Sequence, residues 1–158
     1  MTASREDGAR RVPPGIRRLD HVAIVIEDTN TALRYFEGRL GLRVVHSEDL
    51  SEPPVRLTYL DAGNAFIQLV EPLTPSSQIA LFLAENGEGV HHVCFGVNDV
   101  ADGLDALREQ EFEQLPVGSG RGRPSGFAAN GSPHGLRIEC TQFCYRLDVE
   151  DTAGWLPG

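Results

Sequence analysis

The sequence predicts an α+β fold of two tandem βαβββ modules, each a mixed sheet curled toward the other. Three observations predict it. His92 follows His21 by 71 residues, and Glu139 follows Gln68 by the same 71 (92−21 and 139−68). Within each copy the second member lies 47 residues after the first (68−21 and 139−92). Around the histidines the copies also match in character, Asp20-His21-Val22-Ala23-Ile24-Val25-Ile26-Glu27-Asp28 against His91-His92-Val93-Cys94-Phe95-Gly96-Val97-Asn98-Asp99. A duplicated half-domain that brings one ligand pair from each copy to a common metal cleft accounts for all three.

The elements follow in order. Residues 1–15 are polar, end in Pro13-Pro14-Gly15 and read as a flexible arm. The body spans 16–144, with module one over about 18–72, a connector helix over about 76–87 and module two over about 89–142. In module one, 19–26 is an apolar, β-branched run that reads as a strand. Asp28 or Thr29 caps a helix in which Leu33, Phe36 and Leu40 form one buried stripe, stopped by Gly41. Strands are expected at 43–47, 55–60 and 65–70, the last two joined by the tight turn Asp61-Ala62-Gly63-Asn64.

Ser76 or Ser77 caps the connector helix through Ile79, Phe82 and Leu83, and Gly87 ends it; this segment reads as connector without a chemical role. Module two repeats the plan. A strand at 90–97 leads to an Asp99-capped helix carrying Val100, Leu104 and Leu107 on one face, with strands near 113–117, 125–129 and 136–142. Residues 145–158, with three acids and Trp155, read as a tail, and Trp155 is either free or docked on the body.

Composition narrows the function classes. A net charge of −9 and a pI near 4.9 argue against a nucleic-acid surface, which needs basic residues to displace counterions. The first eleven residues lack the apolar core of a secretory signal, and no stretch approaches the roughly 18 apolar residues of a membrane span. Three cysteines without CxxC spacing point to a reducing cytoplasm.

Side chains alternate along a strand, so His21, Ala23 and Val25 share one face, and His92, Cys94 and Gly96 its counterpart. On the later strands Gln68 lies with Phe66 and Val70, and Glu139 with Arg137 and Thr141. If these faces look inward, two imidazoles, an amide oxygen and a carboxylate meet, a donor set that suits a divalent transition ion used as a Lewis acid. His91 points to the opposite face and reads as structural. Cys94 reads as a small apolar filler beside His92, with a thiol ligand as the alternative; Cys140 and Cys144 read as packing. His46 and His134 have no partner in the repeat, though His134 sits in a loop that could border the site. Arg121 and Arg123, in Gly118-Ser119-Gly120-Arg121-Gly122-Arg123-Pro124, read as part of a solvated flexible turn, or as cations meeting an anionic group.

From residue 18 to 142 the chain resembles the vicinal oxygen chelate superfamily and, within it, the methylmalonyl-CoA epimerases. The resemblance is most specific from Glu71 to His92, with "EPL", "S-x-IA-x-FL" and "GEG-x-HH" signatures. Asp20-His21-Val22-Ala23 and His134-Gly135-Leu136-Arg137-Ile138-Glu139 resemble the first-strand and last-strand motifs. The resemblance implies paired modules, each half a barrel around the ion, usually in a homodimer. It implies His21, Gln68, His92 and Glu139 as metal ligands and an acyl-CoA substrate; such O/N ligands accept Co, Mn, Ni, Zn or Fe as the divalent ion. The implied reaction is a proton shift at the α-carbon of a 2-methylmalonyl thioester through a metal-stabilised enolate; Glu139 is also a candidate base.

Two departures stand out. Where many bacterial epimerases carry a glutamate on the third strand, this chain has Leu57, which cannot transfer a proton; Tyr59, on the same face, is a candidate second acid. The family's "FLHPK" reads Phe127-Ala128-Ala129-Asn130-Gly131-Ser132. Alternatives are a sister isomerase or lyase of the lactoylglutathione type, an Fe(II) extradiol-type dioxygenase, or a non-catalytic binding protein. Gln68 as a fourth ligand argues against the dioxygenase, and the four ligand-capable residues argue against simple sequestration.

Overall fold

A computed structural model describes residues 15–107, 120–128 and 133–143. Within them seven strands form one sheet in the order β2-β3-β4-β1-β5-β7-β6, and the sheet curls as a half-barrel. The strands are β1 (Ile16–Val25), β2 (Arg43–Ser51), β3 (Pro54–Asp61), β4 (Phe66–Pro72), β5 (Gly89–Val97), β6 (Ser125–Phe127) and β7 (Ile138–Gln142). The duplication is visible in the pairing. β1 runs parallel to β4 as β5 does to β7, while β3 and β6 each pair antiparallel with that parallel partner. An antiparallel β1–β5 seam joins the copies edge to edge, so both modules of one chain share one sheet. The strand expected at 113–117, the arm before Gly15 and the tail from 145 on lie outside the described residues.

Helices form where the sequence offers caps. The Asp28 carboxylate accepts from Thr31 N–H at 2.7 Å and opens α1 (Thr29–Phe36); Ser77 Oγ accepts from Ala80 N–H and opens α2 (Gln78–Asn86). Asp99 accepts from Asp102 N–H and opens α3 (Val100–Ala106). α1 ends a turn earlier than its apolar spacing suggests. Leu33 and Phe36 pack under the sheet, but Leu40 is 52% exposed, because the backbone after Phe36 switches to turns with Gly38 and Leu40 N–H bonding five residues back. β2 runs four residues further than expected. Its polar end hides the strand from an apolar reading, yet it pairs with β3 to Ser51, supported by a cross-strand Arg56–Asp49 ion pair.

The core lies on both faces of the sheet. α1 covers Ile26, Leu60 and Leu69 on the convex side of module one, and α3 covers Val97 and Cys140 in module two. On the concave face Val25, Val55, Leu57, Tyr59, Phe66 and Val70 pack together, and Ile79, Phe82 and Leu83 of α2 close over them. That leaves the remainder of the concave face, at the β1–β5 seam, for polar side chains.

Candidate metal centre

Two neighbouring rungs of the sheet build the site. One rung runs Phe127–Glu139–Cys94–His21–Phe66 across β6, β7, β5, β1 and β4. The next runs His92–Ala23–Gln68–Tyr59–His46 across β5, β1, β4, β3 and β2. The residues beside the histidines, Ala23 and Cys94, are small, fully buried and again 71 apart (94−23). They form a low floor over which the longer side chains converge.

His21 Nε2, His92 Nε2 and Glu139 Oε2 meet there. The two imidazole nitrogens are 3.4 Å apart, and the carboxylate oxygen lies 3.3 Å from His21 and 2.9 Å from His92. All three residues are buried, and their donor atoms fall within 4.8 Å of one another. Two donors sharing an ion at about 2.0–2.2 Å stand about 2.8–3.6 Å apart in tetrahedral or octahedral geometry, so these three fit one divalent ion. Gln68, also buried, donates an Nε2–H to Tyr59 Oη at 2.7 Å, which leaves the carbonyl oxygen Oε1 as the amide's lone-pair atom.

Each histidine is held from behind. β1 carries an extra residue at Asp20 and β5 an extra residue at His91, where the seam's register slips. These bulges bring both side chains round to the following histidine: Asp20 Oδ2 is 2.7 Å from His21 Nδ1, and His91 Nδ1 is 2.7 Å from His92 Nδ1. The structural role expected for His91 on the opposite face is therefore corrected. The bulge interrupts the alternation, and His91 touches His92 while packing edge-on against Phe82 of α2. The connector helix thus supports the site it was expected merely to link. Phe127 closes the other side of His92, ring centroids 4.9 Å apart.

The electrostatics follow from burying two carboxylates. Burial works against the Glu139 anion, but hydrogen bonds from His21 and His92 overcome it and hold the carboxyl well below its usual range. Burial likewise opposes ionised Asp20, yet His21 and the Arg121 charge lower it. His21, between the two acids, is raised despite its burial, while burial lowers His92. A site that draws positive charge to His21 Nε2 between carboxylates is one a cation can occupy in the proton's place. Burial holds the Cys94 thiol protonated, which suits a filler better than a thiolate ligand.

The remaining candidates separate. His46 lies at the far end of the second rung, 3.3 Å from Glu48. His134 is exposed. Cys140 is buried against α3, and Cys144 lies outside the described residues. Tyr59 is buried, its hydroxyl engaged by Gln68 and its ionisation pushed far up by burial, an arrangement that orients Gln68. Arg121 and Arg123 are not part of a solvated turn: Arg123 is buried, and the Arg121 guanidinium reaches Asp20 at 2.5 Å. Sequence reading missed Asp20, although the duplication aligns it with His91. It offered Arg121 only as a cation for some anionic group, not as the partner of Asp20, 101 residues away.

Comparison with known proteins gives the family of the chain. Residues 20–129 match the Glyoxalase/Bleomycin resistance protein/Dioxygenase superfamily. An ethylmalonyl-CoA/methylmalonyl-CoA epimerase of Cereibacter sphaeroides is 34% identical over 119 residues, 75% of this chain and 85% of that protein. The human mitochondrial methylmalonyl-CoA epimerase is 30% identical over 130 residues, covering 79% and 73%. A Streptomyces coelicolor methylmalonyl-CoA epimerase variant, solved with 2-nitronate-propionyl-CoA, superposes with a TM-score of 0.73 at 29% identity, covering 81% and 95%. The chain belongs to the glyoxalase/bleomycin resistance protein/dioxygenase superfamily, with methylmalonyl-CoA epimerases among its relatives.

Proposed function

We propose that the protein is a metal-dependent epimerase that moves the α-proton of methylmalonyl-CoA or a related acyl thioester. The observation that carries this reading is the convergence of His21 Nε2, His92 Nε2 and Glu139 Oε2 at 2.9–3.4 Å in a superfamily fold whose relatives include such epimerases. His21, His92 and Glu139 would hold the ion, with Gln68 Oε1 as fourth ligand. When bound, a divalent ion supplies Lewis-acid stabilisation to the oxyanion that develops as an α-proton leaves a thioester. Its identity (Co, Mn, Ni, Zn or Fe) is set as much by supply as by these ligands.

The residues do the rest. The Glu139 carboxyl, held well below its usual range by His21 and His92 against its burial, keeps one oxygen on the imidazoles, and its second oxygen would accept the α-proton. Such a base contributes ~10²–10⁴-fold. Tyr59 fixes the Gln68 amide, and Asp20 and His91 fix the two rings. Leu57 and Val70 keep the neighbouring floor apolar, where water would compete for the proton. We further propose acyl-CoA as the partner, a homodimer as the assembly and the cytoplasm as the compartment. Among the described residues no helix is long and apolar enough to cross a membrane.

The test is stereochemical. One C2 epimer of methylmalonyl-CoA is incubated with protein stripped by chelator and with protein reloaded with Co(II) or Mn(II). Equilibration of the two epimers by the reloaded protein alone supports the reading. No equilibration with either Co(II) or Mn(II), nor on reloading with Ni(II), Zn(II) or Fe(II), contradicts it.

A further inference from the structure

The turn Gly120–Gly122 of module two crosses onto the concave face of module one, where nothing in the epimerase reading requires it. It is pinned at two points. Arg121 N–H donates to Glu48 Oε1 of β2 at 2.5 Å, and Arg121 Nη2 donates to Asp20 Oδ2 of β1 at 2.5 Å. Between the pins the guanidinium lies over the Tyr59 and Phe66 rings, 4.6 and 5.2 Å from their centroids. Gly120 fits so closely on this face that a Cβ there would stand 2.0 Å from Tyr59 Oη and 2.9 Å from Leu57 Cδ1. Arg121 itself has φ +65°, the left-handed region a glycine enters freely and an arginine enters only against steric cost. Its contacts offset that cost and aim the side chain inward; the Arg121 side chain is only 13% exposed.

Asp20 explains why the aim matters. Its carboxylate is 1% exposed and accepts from two groups, His21 Nδ1 and Arg121 Nη2, on the same oxygen. An ion bound at His21 Nε2 needs Nδ1 to carry its proton and a fixed acceptor behind it. We propose that Arg121 is a positioning residue of the metal centre: it locks Asp20 against His21, and the Gly120–Gly122 turn is the clasp through which module two orients the ligand of module one. This rests on reading His21 as a ligand. Among the described residues His92 is backed instead by the His91 imidazole, so the clasp acts on the His21 side of the site.

Co(II) binding to Arg121→Met, Arg121→Lys and Glu48→Ala tests it, by competition with a chelator and by the visible ligand-field spectrum, with thermal melts of each metal-free protein. Arg121→Met is expected to lose roughly 10–100-fold in Co(II) affinity with an altered spectrum, Arg121→Lys to recover part of it, and Glu48→Ala to lose less in the same direction. Affinity within twofold of the parent and an unchanged spectrum in Arg121→Met overturns the proposal. If Arg121→Met does not melt cooperatively, Glu48→Ala decides by the same criterion. A parent protein that takes up no Co(II) overturns the metal reading and the clasp with it, whereas a parent that binds Co(II) without epimerising leaves the clasp to be judged on affinity alone.

Discussion

His91 and His92 face each other through their Nδ1 atoms at 2.7 Å. Only one can donate. For His92 to offer Nε2 to an ion, its Nδ1 must carry the proton and His91 Nδ1 must accept it, which fixes His91 as the neutral Nε2–H form. Burial first, then the neighbouring His92, lowers His91 to about 3, consistent with that form. Replacing His91 by Phe keeps the ring against Phe82 but removes the acceptor. Metal affinity, read by chelator competition, is expected to fall roughly 10–100-fold.

His91 also sets a pH dependence. A histidine lowered in the folded state binds its proton more readily in the unfolded chain, so folding loses stability as pH falls from its unfolded value of 6.5 toward about 3. The slope for one such group reaches about 1.4 kcal/mol per pH unit. His21, raised in the fold, works oppositely: its contribution is full below 6.5 and disappears as pH rises through its folded value. In urea melts of metal-free protein between pH 6.5 and 4, His91→Phe should therefore lose stability less steeply than the parent. Parallel slopes would remove His91 as the source.

Ala23 and Cys94 keep the floor low. Ala23→Leu pushes a branched side chain up between His92 and Gln68, its rung neighbours. Overpacking a fully buried site costs about 1–3 kcal/mol, and the ion's space is lost with it. Metal stoichiometry by elemental analysis should fall well below one while far-UV circular dichroism stays like that of the parent.

Gly120 and Tyr59 make a coupled pair. Gly120→Ala places a methyl 2.0 Å from Tyr59 Oη, so the turn or the ring must shift, at about 1–3 kcal/mol. Tyr59→Phe removes the obstructing oxygen, and the double variant should recover part of the loss. A thermodynamic cycle giving additive effects would show that the turn does not rest on Tyr59.

Much of this arrangement was legible in the sequence. The double offset singled out His21, Gln68, His92 and Glu139, of which the fold brings His21, His92 and Glu139 within 3.4 Å of one another, and the aligned copies set Ala23 against Cys94 and Asp20 against His91. The caps expected at Asp28 or Thr29, at Ser76 or Ser77 and at Asp99 announced the three α-helices of the described residues, which open at Asp28, Ser77 and Asp99. What could not be read depended on backbone irregularity or distant contact. Alternation put His91 on the wrong face, because a bulge is one extra residue that no periodicity records. The polar second half of β2 became a strand by pairing with β3, not by burial. Arg121 reached the site through a turn whose neighbours are all glycine or polar, a pattern that by itself reads as solvent-facing.

Proton NMR of methylmalonyl-CoA in D₂O, with metal-loaded protein, tests the central claim most directly. The α-proton signal should disappear far faster than without enzyme, and Glu139→Gln, in protein that still melts cooperatively, should slow that loss by ~10²–10⁴-fold. An α-proton that persists in the presence of folded, metal-loaded parent protein would contradict the account, as would a Glu139→Gln variant that exchanges it at the parent's rate.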